Sequence, residues 1–265
     1  MATATRTRTA TKSIEDDREV VAGLVHGITV LQALQRKPKV TQSELSAMTG
    51  LTRATARRSL ITLGMLGYVD ANDGIYSLTP KVVELASGYL NSGDAWIAAA
   101  SPFLEVLRNR VEENVSAVVL DRTDVVYVAS FAADTVMALN VRIGGRKPAY
   151  CTAMGRVLLA GMPEDCVRDV LAMSSIQRKT GNTLTEMDEV LAAIRQVREQ
   201  GYAVIDQELE AGLIAVAVPI RNLRGQVIAA INICGHTMQT SLEKLTTLCL
   251  PEALKTAKQI SARIP

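Results

Sequence analysis

Arg53, Arg57 and Arg58 lie among small and hydroxyl side chains in TRATARRSLITLG, residues 52–64. An arginine fork can clamp a phosphate or the O6/N7 edge of guanine, and small neighbours let a helix backbone approach a groove. Thr41, Ser43 and Thr55 add hydroxyls that can bond phosphate oxygens. Recognition of double-stranded DNA is the chemistry this set can do. A second pair, Cys234 and His236, stands two residues apart, as a thiol and an imidazole working together would. No orienting acid accompanies it, and no further ligands stand at metal-site spacing. Gly144-Gly145 is not a dinucleotide fingerprint, and no P-loop is present. The expectation is no catalytic residue, no metal and no cofactor.

The elements that must position the arginines follow from residues 41–66. Thr41 is a good N-cap, and Glu44 three residues on completes a capping box. The first helix then runs to about Met48 and buries Leu45 and Met48. Gly50 supplies the turn, because glycine takes a positive φ at little cost. Thr52 caps the second helix, whose Ala56, Leu60 and Leu63 form an inward stripe. Ala54, Arg58 and Ile61 lie opposite, flanked by Thr55, Arg57 and Thr62. Two β-like runs around Asn72-Asp73-Gly74 read as a hairpin, the wing of a winged helix-turn-helix. A helix over 18–36, burying Val20, Leu24, Ile28, Leu31 and Leu34, completes a DNA-binding domain over 18–80. Residues 1–17 read as a disordered tail, with a minor-groove arm as the alternative.

Charge distribution agrees. Residues 1–60 hold ten Lys/Arg against five Asp/Glu, while the remainder holds 19 against 22, so the basic part is the first part. A hydrophobic fraction of 48% supports packed cores. No apolar run approaches the roughly 20 residues of a membrane span, and the first residues lack the apolar region of a secretion signal. Cys151, Cys166, Cys234 and Cys249 include no C-x-x-C pair, so reduced, buried thiols in a cytoplasmic protein are expected.

Pro80 opens a linker helix over 81–93, with apolar Val82, Val83, Leu85, Ala86 and Leu90 available to pack, a second subunit being one partner. Residues 94–265 read as a second domain. Asp94 caps a helix over 95–113 in which Pro102 forces a kink or a restart. VSAVVLD (115–121), DVVYVASF (124–131), TVMALNVR (135–142), YAVIDQ (202–207), LIAVAVPI (213–220) and QVIAAINI (226–233) read as six strands. Helices are expected at 153–162, 163–173 and 185–200, the last capped by Thr185 and Asp188. A final helix spans 239–262, interrupted near Pro251. The fold class is α+β with a largely antiparallel sheet.

Five blocks in order, TGLTRATARRSLITLGMLGYV (49–69), LTPKVVELASGYL (78–90), PAYCTAMGRVLLAG (148–161), QGYAVIDQELEAGLIAVAVPI (200–220) and AAINI (229–233), resemble the IclR-type bacterial transcriptional regulators. Within them the chain is most similar to the protocatechuate and p-hydroxybenzoate branch. The resemblance implies a winged-helix DNA reader, a linker helix and a GAF/PAS-like effector domain. It implies a dimer or tetramer that binds operator DNA and a small aromatic acid, with RNA polymerase as a further partner. Carried over by motif, Ala153 and Met154 line the effector pocket with Ile205, Leu213 and Ala215, and Asn232 and Cys234 join them from the last strand. Tyr150 and Thr152 are further polar candidates. The chain departs from the branch at Lys147, where Leu is usual, and at Cys151-Thr152-Ala153, where Ala-Thr-Ser is common. Arg142, Arg146 and Lys147 are charges that could pair with an acid. The alternatives are an enzyme with a nucleic-acid-binding head and a DNA-binding protein without a ligand.

Overall fold

The computed structural model describes residues 19–90, 96–133 and 142–264. The 1–17 tail, the Asp94 cap and, apart from Arg142, the TVMALNVR strand fall outside them. The chain divides into two compact units between residues 89 and 90.

The first unit contains α1 (Ala22–Arg36), β1 (Val40–Thr41), α2 (Gln42–Thr49), α3 (Arg53–Met65), β2 (Val69–Asn72), β3 (Ile75–Leu78) and α4 (Val82–Leu90). Local chemistry sets its boundaries as expected. Thr41 and Glu44 form the capping box, Gly50 ends α2 at φ 72°, and Thr52 caps α3. Asp73 and Gly74 both take positive φ, the backbone of a tight two-residue hairpin turn. One strand was not foreseen: β1 pairs with β3, Val40 against Tyr76, making a three-stranded wing. Val30, Ala33, Leu34, Leu45, Ala56, Leu60 and Leu63 make the core. Two expectations fail here. Only the C-terminal half of α1 reaches this core, so Leu24 and Ile28 are exposed, and Met48 is exposed at the end of α2.

The second unit is a six-stranded antiparallel sheet between two helical layers. Its elements are α5 (Trp96–Val111), β4 (Asn114–Asp121), β5 (Asp124–Phe131), β6 (Arg146–Pro148), α6 (Ala153–Ala160), α7 (Glu164–Met173), α8 (Met187–Gln200), β7 (Ala203–Asp206), β8 (Leu213–Arg221) and β9 (Val227–His236). A C-terminal helical stretch follows as α9 (Leu242–Lys244), a π-helical turn over Leu245–Cys249, and α10 (Leu250–Ser261). Strand order is β6-β5-β4-β9-β8-β7, with the short β6, outside the six expected strands, on one edge.

Proline acts differently at its two helical positions. The α5 helix runs through Pro102 without a restart. The wide π turn precedes Pro251, which sits in the first turn of α10 where its missing N–H costs least. The α8 helix starts at Met187 after Glu186, with no side-chain cap, so Thr185 and Asp188 do not form the expected box. Instead the Thr185 hydroxyl accepts from Arg178 Nη2 at 3.3 Å.

Period-two alternation divides the sheet's side chains between two cores. Ile214, Val216, Val218, Ile220, Ile231 and Ile233 pack with Leu104, Leu107, Ala253 and Ile260 on the α5/α10 side. Ala203, Ile205, Ala215, Ala217, Ala230 and Cys234 pack with Ala153, Met154, Val157 and Leu191 on the α6/α8 side.

Candidate nucleic-acid interface and ligand site

The α3 helix turns its stripe of Ala56, Ser59, Leu60 and Leu63 inward, which leaves Arg53, Arg57 and Arg58 exposed. Ser43 is exposed at the start of α2. Two of the proposed hydroxyls are already engaged. Thr41 Oγ1 accepts the Glu44 N–H at 3.3 Å, and Thr55 Oγ1 lies 2.9 Å from Thr52 Oγ1. Thr41 Oγ1 thereby fixes the start of α2, and Thr55 Oγ1 braces the Thr52 cap of α3. Gln42 Nε2 donates to the Arg53 carbonyl at 2.9 Å and ties the N-terminus of α2 to that of α3. Lys37, 2.6 Å from Glu44, and the Thr41 N–H together hold the Glu44 carboxyl down to about 2, so the cap stays charged. At the end of α3, Lys81 Nζ donates to the Leu66 carbonyl at 3.0 Å and lies over the Tyr68 ring. The arginines thus sit on a helix with both ends anchored.

The ligand candidates converge on the α6 side of the sheet. Tyr150, Thr152, Ala153, Met154, Ile205, Ala215, Asn232 and Cys234 are all buried, and Leu213 packs at the margin. The turn before α6 is drawn close by Gly155, where a Cβ would stand 2.2 Å from the Ala149 carbonyl oxygen. Thr152 Oγ1 caps α6 by accepting the Gly155 N–H at 3.2 Å and donates to the Pro148 carbonyl at 3.0 Å. Among the described residues nothing accepts from the Ala153 and Met154 N–H groups, so the helix start keeps two open donors.

Of the polar side chains foreseen here, two are taken internally. Tyr150 Oη donates to the Gln177 carbonyl at 2.6 Å, and Thr152 is the cap. Asn232 alone keeps an open buried atom, Oδ1. Of the loop cations, exposed Arg146 pairs with Asp121 at 2.7 Å and Asp124 at 3.1 Å, and Lys147 is exposed, so neither points to a buried acid. Burial pushes the Cys151 thiol up to about 11 and the Cys234 thiol up to about 12. A neutral thiol of that kind is no nucleophile at neutral pH. The His236 ring packs instead over Gly212, so the pair is not a catalytic dyad. Cys151, Cys234 and Cys249 are buried as expected, whereas Cys166 is exposed.

The sequence reading missed three residues on this side. Arg156 and Glu208 form a buried two-bond pair at 2.8 and 2.5 Å, and Arg156 Nε also donates to the Tyr150 carbonyl at 3.2 Å. The pair joins the turn before α6 to the loop between β7 and β8. A lone arginine inside the apolar run MGRVLLAG was the available signal. Ser116, the third, is polar at an inward position of VSAVVLD.

A winged helix-turn-helix with exposed arginines, followed by a separate α+β unit, defines a DNA-binding regulator. Residues 23–73 match the IclR helix-turn-helix domain, and residues 89–262 match the bacterial transcriptional regulator IclR C-terminal domain. The chain belongs to the IclR family of transcriptional regulators, which are not enzymes. It is 37% identical to the Pca regulon regulatory protein of Pseudomonas putida, over 92% of this chain and 84% of that one. It is 32% identical to the p-hydroxybenzoate hydroxylase transcriptional activator of Acinetobacter baylyi, over 91% of each. An IclR homolog from Microbacterium hydrocarbonoxydans, solved with 4-hydroxybenzoate, superposes with TM-score 0.78 at 25% identity, covering 91% of this chain and 98% of that one.

Proposed function

We propose that this regulator controls a catabolic operon in response to a small aromatic carboxylic acid bound on the α6 side of the sheet. The observation that carries the reading is the open start of α6, whose two open N–H donors belong to residues packed in one core with Ala215, Ala217 and Ala230. A helix N-terminus favours a carboxylate, and small apolar side chains leave room for a planar ring. The names of the relatives supply the class: one activates a p-hydroxybenzoate hydroxylase, and one structural neighbour holds 4-hydroxybenzoate. Ala153, Met154, Ile205, Leu213, Ala215, Asn232 and Cys234 are the proposed contacts.

On the DNA side, Arg53, Arg57 and Arg58 are the proposed readers, with Ser43 on phosphate and Thr41 and Thr55 holding the helix starts. Replacing Arg58 by Ala should weaken specific binding by about 1–3 kcal/mol if it reads a base. Unchanged affinity in a DNA-binding titration would remove it from that role. Self-association, as a dimer or tetramer, is supported by apolar side chains that the first unit leaves exposed. These include Leu24 and Ile28 on α1, Leu66 after α3, and Val83, Leu85 and Tyr89 on α4. Leu24, Ile28 and Leu66 line a groove of about 550 Å³ between α1 and α3. A dimer would present two recognition helices to two half-sites. We propose that the linker helix α4 carries the ligand signal to the heads, with RNA polymerase the further partner if the regulator activates.

The test is binding of the purified protein to DNA from upstream of its own gene, at fixed salt, with and without protocatechuate and p-hydroxybenzoate. Specific binding with a saturable response to either acid is the expected result. Specific binding without a response would retire these effectors, and no preference over random DNA would contradict the operator assignment. Effector and operator must alter each other's affinity reciprocally wherever they are coupled in binding.

A further inference from the structure

Two polar side chains on the α6 side of the sheet each keep one buried atom without a partner among the described residues. Ser116 on β4 and Asn232 on β9 stand directly opposite each other in the antiparallel register. They are 3% and 2% exposed, and Ser116 Oγ and Asn232 Oδ1 both lack a hydrogen bond. Side chains opposed in this way start about 5 Å apart at Cβ, so one oxygen atom between them can reach both. They do not bond each other. Asn232 is flanked on its other side by Ala217 of β8, which adds no competing polar group. The Asn232 side-chain carbonyl oxygen, which can only accept, is the end left open. Buried polar atoms without partners are uncommon in folded proteins, and a pair of them across one strand boundary calls for a third group.

We propose that Ser116 and Asn232 form a hydroxyl-recognition subsite, in which an effector hydroxyl donates to Asn232 Oδ1 and accepts from the Ser116 Oγ hydroxyl. The inference rests on the reading of this face as the effector site and sharpens it. A hydroxyl satisfies both groups at once. A carboxylate has no hydrogen to give Oδ1, and a bare ring edge leaves both atoms unpaired. The acid group of the effector therefore belongs at the start of α6, and its hydroxyl belongs at the sheet. The ligand class is the hydroxylated aromatic acid, in preference to the unsubstituted acid or the aromatic dicarboxylate.

The experiment is calorimetric titration of the full-length protein with benzoate, terephthalate, 3-hydroxybenzoate, 4-hydroxybenzoate and protocatechuate, repeated on Ser116→Ala. At least one hydroxylated acid should bind the wild type about ten- to a hundredfold more tightly than benzoate. Ser116→Ala should shrink that ratio to a few-fold and leave benzoate affinity unchanged. Its unliganded thermal midpoint should hold or rise, because the substitution removes an unpaired hydroxyl; a lowered midpoint would mark a structural role and count against the subsite. Equal binding of benzoate and the hydroxylated acids would overturn the proposal, leaving the pair to a water molecule only. An equal loss for both ligand types in Ser116→Ala would do the same. If no acid binds while specific DNA binding persists, the aromatic-acid reading itself falls and the subsite falls with it.

Discussion

The two faces of the six-stranded sheet are built from the same strands and do different work. On the α5/α10 face, alternate positions are Ile214, Val216, Val218, Ile220, Ile231 and Ile233. These β-branched side chains suit a pleated surface and fill the space beneath two helices. On the α6 face, the intervening positions of the same strands include Ala215, Ala217, Ala230, Asn232 and Cys234. Small side chains line this face, and two of its polar atoms are left unpaired. The difference is one of chemistry: one face is closed by hydrocarbon, while the other, the proposed site, carries a buried ion pair, an open helix start and two open side-chain atoms.

The largest expected effect lies in that ion pair. Arg156→Met strips a buried Glu208 of its partner and should cost about 3–5 kcal/mol in urea unfolding. Arg156→Met combined with Glu208→Leu should recover most of the loss, since two apolar groups replace two charges. A single-variant cost under about 1 kcal/mol would mean that the pair is solvated in solution. Next comes the scaffold face. Ile231→Ala should cost about 2–5 kcal/mol by the same measurement while leaving effector affinity within about twofold in the folded protein. A matching loss of effector affinity would break the division between the faces.

A smaller effect follows from the thiols. Burial raises Cys234 to about 12, and it raises Cys151 and Cys249 to about 11, from an ordinary value near 9. Below about pH 8 each thiol is almost wholly neutral in both folded and unfolded chains and contributes little to pH dependence. Above it the unfolded thiol ionises first, so stability falls with rising pH until the folded value is passed. Thermal midpoints measured from pH 8 to 11 should decline. Cys234→Ala on the α6 face should flatten that decline more than Cys249→Ala on the other. The reverse order would show that Cys234 is less enclosed than its neighbours suggest.

What was legible in the sequence was what neighbours in the chain decide. Thr41 with Glu44, Gly50, Thr52 and Asp73-Gly74 each declare a cap or a turn within four residues, and the structure has each. The β-branched runs declared β4, β5, β7, β8 and β9. Where neighbours do not decide, the reading failed. Leu24 and Ile28 keep helical spacing, yet α2 and α3 cover only the later half of α1. The β1 and β6 strands exist because β3 and β5 offer them an edge, which two or three residues cannot announce. On the α6 face, small residues before the helix and Asn232 on the closing strand were named through the family motif. The partners of that face were not. Arg156 meets Glu208 only once the loop after β7 is placed, and Ser116 meets Asn232 only once β4 and β9 are in register. Capping and periodicity are local, whereas a binding face is assembled from strands far apart in sequence.

The central claim is that effector occupies the α6 face and not the α5/α10 face. Methyl-labelled alanine reports on both at once, with Ala153, Ala215, Ala217 and Ala230 on one side and Ala117, Ala229, Ala253 and Ala257 on the other. Methyl NMR spectra of the full-length protein would be followed as 4-hydroxybenzoate or protocatechuate is added. Large saturable shifts at Ala153, Ala215 and Ala217, with those at Ala253 and Ala257 small, are the predicted result. Shifts concentrated at Ala253 and Ala257, or none at either face up to millimolar acid, would contradict it.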